Sequence, residues 1–259
     1  MISNLEADHI HLWLTFSDEI RDCRLLASYR SLLSKQEQDR QQRFHFVEDQ
    51  HRYLITRAML RAVLSHYSCV KPQNWLFRKN AHGRPEVANT CACSKSISFS
   101  ISHTAGLILC GIARKHPLGV DTENIKCVSA HLGVATLFSR VEAAALAELP
   151  QHKQPERLLQ LWTLKESYIK AQGRGLTIPL DKFSFHFQRE CIIVPSFDRA
   201  LEDSPRNWQF WLLGTSVDHV AAVCAYRTAG ARQRLTMRRL IPLESEEPFH
   251  CAILGESRR

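Results

Sequence analysis

The chain of 259 residues lacks any long apolar run, although 44% of its residues are hydrophobic. A membrane-spanning helix needs about 20 consecutive apolar residues. The first residues, from Met1 to Glu6, also lack the basic start and apolar stretch of a signal peptide. We therefore expect a cytoplasmic protein with a substantial core and no membrane segment.

Paired metal-binding cysteines are also lacking. Of the nine cysteines, only Cys91 and Cys93 lie close in sequence, and no second pair or His-x-x-x-His completes a four-ligand zinc site. An odd number of cysteines without a signal peptide is typical of reduced thiols in the cytosol. The pattern therefore disfavours a structural zinc site.

Common nucleotide-binding loops are absent as well. The sequence contains no GxxxxGK[ST] loop and no GxGxxG after a strand, which excludes standard P-loop and Rossmann sites. The formal net charge of +8 predicts an anionic partner. However, the basic residues are dispersed, and we find no helix-turn-helix, zinc-finger or RNP-like signal. A nucleotide-like small ligand or an acidic protein therefore fits as well as nucleic acid.

Hydrophobic periodicity predicts an α+β protein in which each half contains a long helix and several strands. Capping boxes at Ser34/Glu37 and Ser139/Glu142 predict helix starts, and Gly173 predicts a helix end. The predicted helices begin near Lys35 and cover about 49–67, 140–149 and 155–172. The predicted strands cover about 9–16, 74–78, 96–103, 107–113, 118–123, 183–187, 191–194, 208–213 and 220–226.

This order predicts a pseudo-dimer of two similar α+β halves, each a long helix packed on a small, mostly antiparallel sheet. We assign 1–117 to the N-terminal half, 118–243 to the C-terminal half and 244–259 to a polar, loosely held tail. In the strand at 96–103, strict alternation predicts that Ile97, Phe99 and Ile101 face the core and that the serines face outward.

Two acidic segments carry the most specific chemistry. In Gly119-Val120-Asp121-Thr122-Glu123, a strand would place Asp121 and Glu123 on one face, where a magnesium ion would relieve their repulsion. In the predicted helix, Trp162, Glu166 and Lys170 form one stripe, so Glu166 could add a third carboxylate and Lys170 could contact a phosphate. Ordinary solvated acids and a surface Glu–Lys pair are the alternative readings.

Other polar residues could form a phosphate site. Ser102 and His103 lie at the end of an alternating strand, where a histidine could contact phosphate. Arginine forks match phosphate oxygens, so a basic cradle could include Arg40, Arg43, Arg52 and Arg84. Taken alone, each of these arginines, and His103 as well, is better explained as an ordinary solvated surface residue.

The combined pattern resembles the 4'-phosphopantetheinyl transferases, in particular the larger, surfactin-synthetase-activating (Sfp-like) class. The resemblance rests on Gly-Val-Asp-Thr-Glu, Phe138-Ser139-Arg140-Val141-Glu142, the segment Trp162–Lys170, Gly173-Arg174-Gly175-Leu176, the turn at Gly83-Arg84-Pro85 and Ile101-Ser102-His103. It implies a pseudo-dimeric fold that binds coenzyme A and Mg²⁺ between its halves. The implied reaction moves phosphopantetheine to a serine of an apo acyl or peptidyl carrier protein and releases adenosine 3',5'-bisphosphate.

The resemblance also implies residue roles. Asp121, Glu123 and Glu166 would be magnesium ligands, Glu166 the general base, and Lys170 a catalytic contact to the transferring phosphate. The implied coenzyme A site comprises Arg40, Arg52, Arg84, Ser102, His103, Asp121 and Lys170. Glu37 and Tyr53 depart from the pattern, which has a basic residue and a smaller hydroxyl residue at these positions.

The length argues against the short trimeric class of this family, so we expect a monomer. The resemblance also implies a carrier-docking surface near 176–188. A magnesium-dependent nucleotide hydrolase and a non-catalytic carrier-binding protein are the alternatives. The complete set of Asp121, Glu123, Glu166 and Lys170 disfavours a protein without catalysis.

Overall fold

The computed structural model describes residues 5–91, 96–188, 191–227 and 232–257. Cys93, one of the close cysteine pair, lies outside these residues. The helices in these ranges are α1 (Cys23–Leu32), α2 (Lys35–Gln42), α3 (Val47–Ser65), α4 (Arg140–Ala147) and α5 (Gln154–Gln172). The strands are β1 (His9–Phe16), β2 (Phe77–Lys79), β3 (Pro85–Val87), β4 (Ile97–Thr104), β5 (Leu107–Arg114), β6 (Leu118–Asn124), β7 (Phe183–Gln188), β8 (Ile192–Phe197), β9 (Trp208–Ser216), β10 (His219–Tyr226), β11 (Arg234–Ile241), β12 (Ser245–Pro248) and β13 (Ala252–Ser257).

Two main sheets form the centre of the molecule. One has the order β12-β11-β1-β5-β4 and the other β6-β10-β9-β13-β8-β7, while β2 and β3 form a separate hairpin. Most neighbouring strands are antiparallel; β1 with β11 and β13 with β8 are parallel. The predicted mixed α+β fold, with a helix on a sheet in each half, is confirmed.

Three apolar clusters explain why the two halves form one body. α3 buries one side against the first sheet, and α5 buries one side against the second. A third cluster joins the opposite faces of the two sheets, with Leu12 and Leu109 from the first and Val120, Trp211 and Val223 from the second. The layers therefore run from α3 through both sheets to α5.

Local signals fixed the helix ends as predicted. Both capping boxes are formed, at Ser34/Glu37 and at Ser139/Glu142. α5 ends at Gly173, whose φ of 69° is the left-handed conformation that glycine adopts readily. Among the described residues, every helix is too short or too polar to span a bilayer.

The prediction of a loosely held tail after residue 244 was wrong. β11 and β12 join the first sheet, and β13 inserts between β8 and β9 of the second sheet. Every residue of β12 is exposed, so its side chains carry no apolar signal, yet its backbone pairs with β11. Residues after 233 therefore contribute to both sheets, and the predicted domain ranges do not coincide with sheet membership.

The prediction that the serines of β4 face outward was also wrong for Ser100 and Ser102, which are buried. β4 is the edge strand of the first sheet and packs beside β6, the edge strand of the second. The Ser100 hydroxyl accepts a hydrogen bond from the Val120 backbone N–H at 3.0 Å. The serine face of β4 therefore lines the contact between the halves, where a buried hydroxyl finds a partner.

Candidate active site

A cleft of about 250 Å³ lies between the two halves. Its walls include the turn Gly83-Arg84-Pro85, the strand residues Phe99 and Ile101, and the α5 residues Glu166 and Lys170. The turn and the strand belong to the N-terminal part of the chain, whereas α5 belongs to the C-terminal part. A ligand in this cleft would therefore touch both halves, as ligands between two domains commonly do.

A close approach of α5 to β6 brings the acidic strand and the Lys170 stripe together. Gly119 permits this approach, because a Cβ at this position would lie 1.9 Å from the Ser167 carbonyl oxygen. Two residues further along β6, Asp121 points toward Lys170, and the Lys170 Nζ lies 2.6 Å from the Asp121 Oδ1. In the acidic motif, Gly119 therefore allows α5 to pack closely against β6, and Asp121 supplies the carboxylate that contacts Lys170.

Ser102, Asp121 and Lys170 form a closed hydrogen-bonded triangle. The Lys170 ammonium donates to Asp121 Oδ1 and, at 2.8 Å, to the Ser102 hydroxyl. That hydroxyl donates to Asp121 Oδ1, also at 2.8 Å. Asp121 is only 3% exposed, and its second oxygen, Oδ2, has no hydrogen-bond partner among the described residues. A buried carboxylate oxygen without a partner is costly, so a cation or a donor is expected to occupy that side when a ligand binds.

Glu166 lines the cleft and has a raised pKa. Burial, together with the negative charges of Asp121 and Glu123, raises the pKa of Glu166 to about 7, against the opposing effect of Lys170. These acids therefore interact electrostatically, as expected for a site that gathers carboxylates. Glu123 is also oriented by α5, because the Trp162 indole N–H donates to its Oε1 at 3.1 Å.

The acidic residues match the ligand chemistry of Mg²⁺. Asp121, Glu123 and Glu166 offer hard oxygen atoms, including the unpartnered Oδ2 of Asp121. Their oxygens do not all lie within 4.8 Å of one another, but Mg²⁺ keeps several waters and is commonly held by one or two carboxylates plus phosphate oxygens. The three residues therefore fit this ion.

A tighter acidic cluster lies elsewhere and has another explanation. Among the described residues, Glu6, Asp8 and His9 bring three ligand atoms within 4.8 Å of one another. The Arg234 guanidinium bonds both carboxylates, at 3.1 Å each. Arg234 of β11 therefore offsets part of the negative charge of this cluster and supports the pairing of β11 with β1.

His103 and Arg52 lie within electrostatic reach of one another, and neither is among the described residues that line the cleft. His103 is exposed, yet partial loss of hydration and the positive charges of Arg52 and Lys170 lower its pKa. Arg52 pairs with Asp49 one turn earlier in α3. His103 is therefore within electrostatic reach of Lys170.

Two other predicted arginines have structural contacts. The Arg84 guanidinium donates to the carbonyl oxygens of Ala171, Phe99 and Leu118 at 3.2–3.3 Å. Burial lowers its pKa. Arg84 therefore ties the turn to both halves while it lines the cleft. Arg40 is exposed and lies over the Tyr53 ring, 5.7 Å from its centroid.

Sequence reasoning missed the partners of Glu37. Arg57 and Arg61, one turn apart on α3, both bond its carboxylate, with Arg57 Nε at 2.7 Å and Arg61 at 2.6 Å. Burial acts to raise the pKa of Glu37, but Arg57, the Ser34 N–H and Arg61 outweigh it and lower that pKa. The i, i+4 spacing of the two arginines was the available signal. Glu37 therefore links α2 to α3.

The fold and the cleft define a two-half α+β protein with a carboxylate-rich site at the junction. Comparison with known proteins identifies the family. Residues 117–224 match the 4'-phosphopantetheinyl transferase superfamily model, and residues 23–113 match the 4'-phosphopantetheinyl transferase N-terminal model.

Several curated relatives share this match. The 4'-phosphopantetheinyl transferase ffp of Bacillus subtilis is 31% identical over 161 residues, which are 62% of this chain and 69% of the relative. HetI of Nostoc sp. is 29% identical over 85% of this chain and 88% of the relative. The transferase gsp of Aneurinibacillus migulanus is 35% identical over 59% of this chain, and the match spans 61% of its length. The chain belongs to the 4'-phosphopantetheinyl transferase superfamily, and its size is consistent with the Sfp-like class.

Proposed function

We propose that this protein transfers 4'-phosphopantetheine from coenzyme A to a serine hydroxyl of an apo acyl or peptidyl carrier protein. The observation that carries this proposal is the triangle of Lys170, Asp121 and Ser102 beside Glu166, in a cleft lined by both halves. The names of the relatives support the same reaction. We also propose that the enzyme acts as a cytoplasmic monomer.

The phosphate contacts follow from the charges of the cleft. Lys170 is placed to leave Asp121 and bond a phosphate oxygen when a pyrophosphate enters, because an ammonium binds phosphate as a point charge. His103 would bond the 3'-phosphate of coenzyme A, and Arg52 and Arg40 would contribute to the basic cradle around it. Arg84 would fix the turn that covers the ligand, since its guanidinium already holds three carbonyl oxygens.

Asp121, Glu123 and Glu166 would hold Mg²⁺. The ion would neutralise pyrophosphate charge, which is a main requirement of phosphoryl transfer. Trp162 would keep Glu123 in a binding orientation through its hydrogen bond. Ser102 would orient Asp121, whose carboxylate would otherwise rotate when Lys170 moves away.

Glu166 would act as the general base. Without a bound metal the pKa of Glu166 is raised to about 7, and a bound Mg²⁺ would lower this pKa and favour the carboxylate that accepts the proton. Glu166 would take the proton of the carrier serine, the serine oxygen would bond the β-phosphorus, and the bond from that phosphorus to the bridging oxygen would break. The leaving group would be adenosine 3',5'-bisphosphate. The basic net charge of the chain would favour association with an acidic carrier surface.

The test is intact-mass spectrometry of an apo carrier protein incubated with this protein, coenzyme A and Mg²⁺. We expect a gain of one phosphopantetheine that requires both the metal and Glu166, with Glu166→Ala and a metal-free sample as controls. Coenzyme A consumption without any gain on a panel of carriers would support a nucleotide hydrolase instead. The absence of both coenzyme A consumption and a gain in carrier mass would contradict an enzyme that acts on these carriers.

A further inference from the structure

Asp203 lies outside the cleft and gathers an unusual number of side-chain donors. Its Oδ2 accepts hydrogen bonds from the Tyr168 hydroxyl at 2.7 Å, the Gln172 amide at 2.6 Å and the Trp208 indole N–H at 2.7 Å. Its Oδ1 accepts from the backbone N–H of Ser204 at 2.7 Å and from Asn207 at 3.1 Å. Hydrogen bonds to a charged acceptor are stronger than neutral ones, so this network is a firm anchor.

Two of the donors belong to the last turns of α5. Tyr168 and Gln172 are four residues apart and share one face of the helix. Glu166 and Lys170 are also four residues apart, and each precedes one of the donors by two positions, which is about 200° of rotation around the helix. Asp203 therefore holds the face of α5 opposite to the one that presents Glu166 and Lys170 to the cleft.

The surroundings of Asp203 make this anchor rigid. Tyr168 is buried, with ring centroids of Phe197 at 4.8 Å, Phe183 at 5.0 Å and Trp208 at 5.3 Å. Glu202, directly before Asp203, has a φ of 54°, a conformation that non-glycine residues adopt at a cost. The chain keeps this conformation where it delivers the carboxylate to α5.

We propose that Asp203 is a positioning residue for the transfer reaction, one that fixes the rotation of α5 and thereby the placement of Glu166 and Lys170 against Asp121. On the cleft side, the packing of Gly119 against Ser167 sets the distance between α5 and β6. On the other side, Asp203 sets the rotation. The inference rests on the proposed function for its kinetic consequence, but its structural consequence is independent of that function.

The experiment compares Asp203→Ala with Asp198→Ala in the full-length protein. Asp198 is a matched control, because it is an acid in the same connection, bonds the Ala200 N–H at 2.9 Å and ion-pairs with Lys182. We expect Asp203→Ala to lower kcat by about 10–100-fold through misplacement of the catalytic groups, with KM for coenzyme A within about twofold. Asp203→Asn, which keeps one acceptor oxygen, is expected to lie between wild type and Asp203→Ala, and Asp198→Ala to match wild type.

A double-mutant cycle and hydrogen exchange complete the test. Tyr168→Phe removes one donor to Asp203 without removing the ring, so its kcat effect should be strongly non-additive with that of Asp203→Ala. Amide exchange over residues 163–172 should accelerate in Asp203→Ala and not in Asp198→Ala, whether or not the wild type modifies a carrier.

Unchanged exchange in this segment, additive effects in the cycle, or equal kcat in Asp203→Ala and Asp198→Ala would overturn the proposal. If the wild type modified no carrier but amide exchange over residues 163–172 were faster in Asp203→Ala, only the proposed function would be contradicted.

Discussion

Gly119 of β6 is in backbone contact with Ser167 of α5. A Cβ on Gly119 would lie 1.9 Å from the Ser167 carbonyl oxygen and 2.4 Å from the Ala171 nitrogen. Real Cβ atoms do not approach backbone atoms so closely, and backbone cannot move aside as a flexible side chain can. The distance between the strand that carries Asp121 and the helix that carries Lys170 is therefore set by the absence of a side chain at this position.

Gly119→Ala should accordingly damage both stability and transfer. α5 would have to move away from β6, and overpacking of a core contact costs about 1–3 kcal/mol or more. A displacement of about 1 Å at catalytic groups can lower the rate about 100-fold. Thermal unfolding and transfer rate measure the two effects. Gly133→Ala is the control, because a Cβ at Gly133 meets no atom of the described residues within 4 Å. Wild-type behaviour of Gly119→Ala would show that the position of the helix does not depend on this contact.

The raised pKa of Glu166 predicts a pH dependence with a defined sign. Because the pKa in the folded state, about 7, lies above the ordinary value of 4.5, ionisation of Glu166 destabilises the fold as pH rises from about 4.5 to 7. Without metal, Glu166→Gln should therefore unfold at a higher temperature than wild type at pH 8. This difference should shrink as the pH falls and vanish near pH 4.

The same variant should lose transfer activity at every pH, whereas wild-type activity should rise with pH as Glu166 ionises, at a pH below 7 because the bound Mg²⁺ favours the carboxylate form. Thermal unfolding at several pH values and the pH profile of kcat provide the measurements. A stability difference that is constant from pH 4 to pH 8 would show that Glu166 does not titrate in this range.

Lys165 of α5 and Glu142 of α4 form a buried ion pair. Their side chains are 0% and 1% exposed, the charged atoms are 2.8 Å apart, and burial lowers the pKa of Lys165. Lys165 also donates to the carbonyl oxygens of Leu180 and Phe183. The pair thus joins α5, α4 and the start of β7.

Lys165→Met should destabilise the protein by about 3–5 kcal/mol, because it leaves the Glu142 carboxylate buried without its counter-ion. Chemical denaturation measures this loss. Lys126→Met is the control: Lys126 is 72% exposed and bonds Asp218 at 2.7 Å, and such a surface pair is worth about 0–1 kcal/mol. Similar losses in the two variants would contradict the structural importance of the buried pair.

Sequence predicted the features that depend on neighbouring residues. The capping boxes at Ser34 and Ser139, the helix end at Gly173 and the shared face of Glu166 and Lys170 all arise within one or two helical turns. The acidic strand was found in the same way, because alternation places Asp121 and Glu123 on one side. Local periodicity therefore identified the elements that present the site.

Features that depend on pairing across the chain were not predictable in this way. The serine face of β4 is buried only because β6 packs beside it, a contact that local alternation does not encode. β11 pairs with β1 from more than 200 residues away, and β13 enters the second sheet between two earlier strands. Glu37 likewise gains its arginines from another helix. Tertiary packing decided these positions.

Trp162 provides a test of the proposed magnesium ligands. Its indole N–H donates to Glu123 Oε1 at 3.1 Å, so Trp162→Phe removes this bond while retaining an aromatic ring. Loss of a group that orients a metal ligand typically weakens metal binding about 10–100-fold, whereas loss of one hydrogen bond costs only about 1 kcal/mol of stability. We therefore expect the Mg²⁺ concentration for half-maximal transfer to be at least about tenfold higher in Trp162→Phe than in wild type.

Trp13→Phe is the matched control, because the Trp13 indole N–H donates to the Tyr67 hydroxyl at 2.8 Å in the core of the other half. The same Mg²⁺ requirement in both variants would argue against Glu123 as a magnesium ligand that Trp162 orients. A higher requirement in Trp162→Phe alone would show that the Trp162–Glu123 hydrogen bond supports magnesium binding.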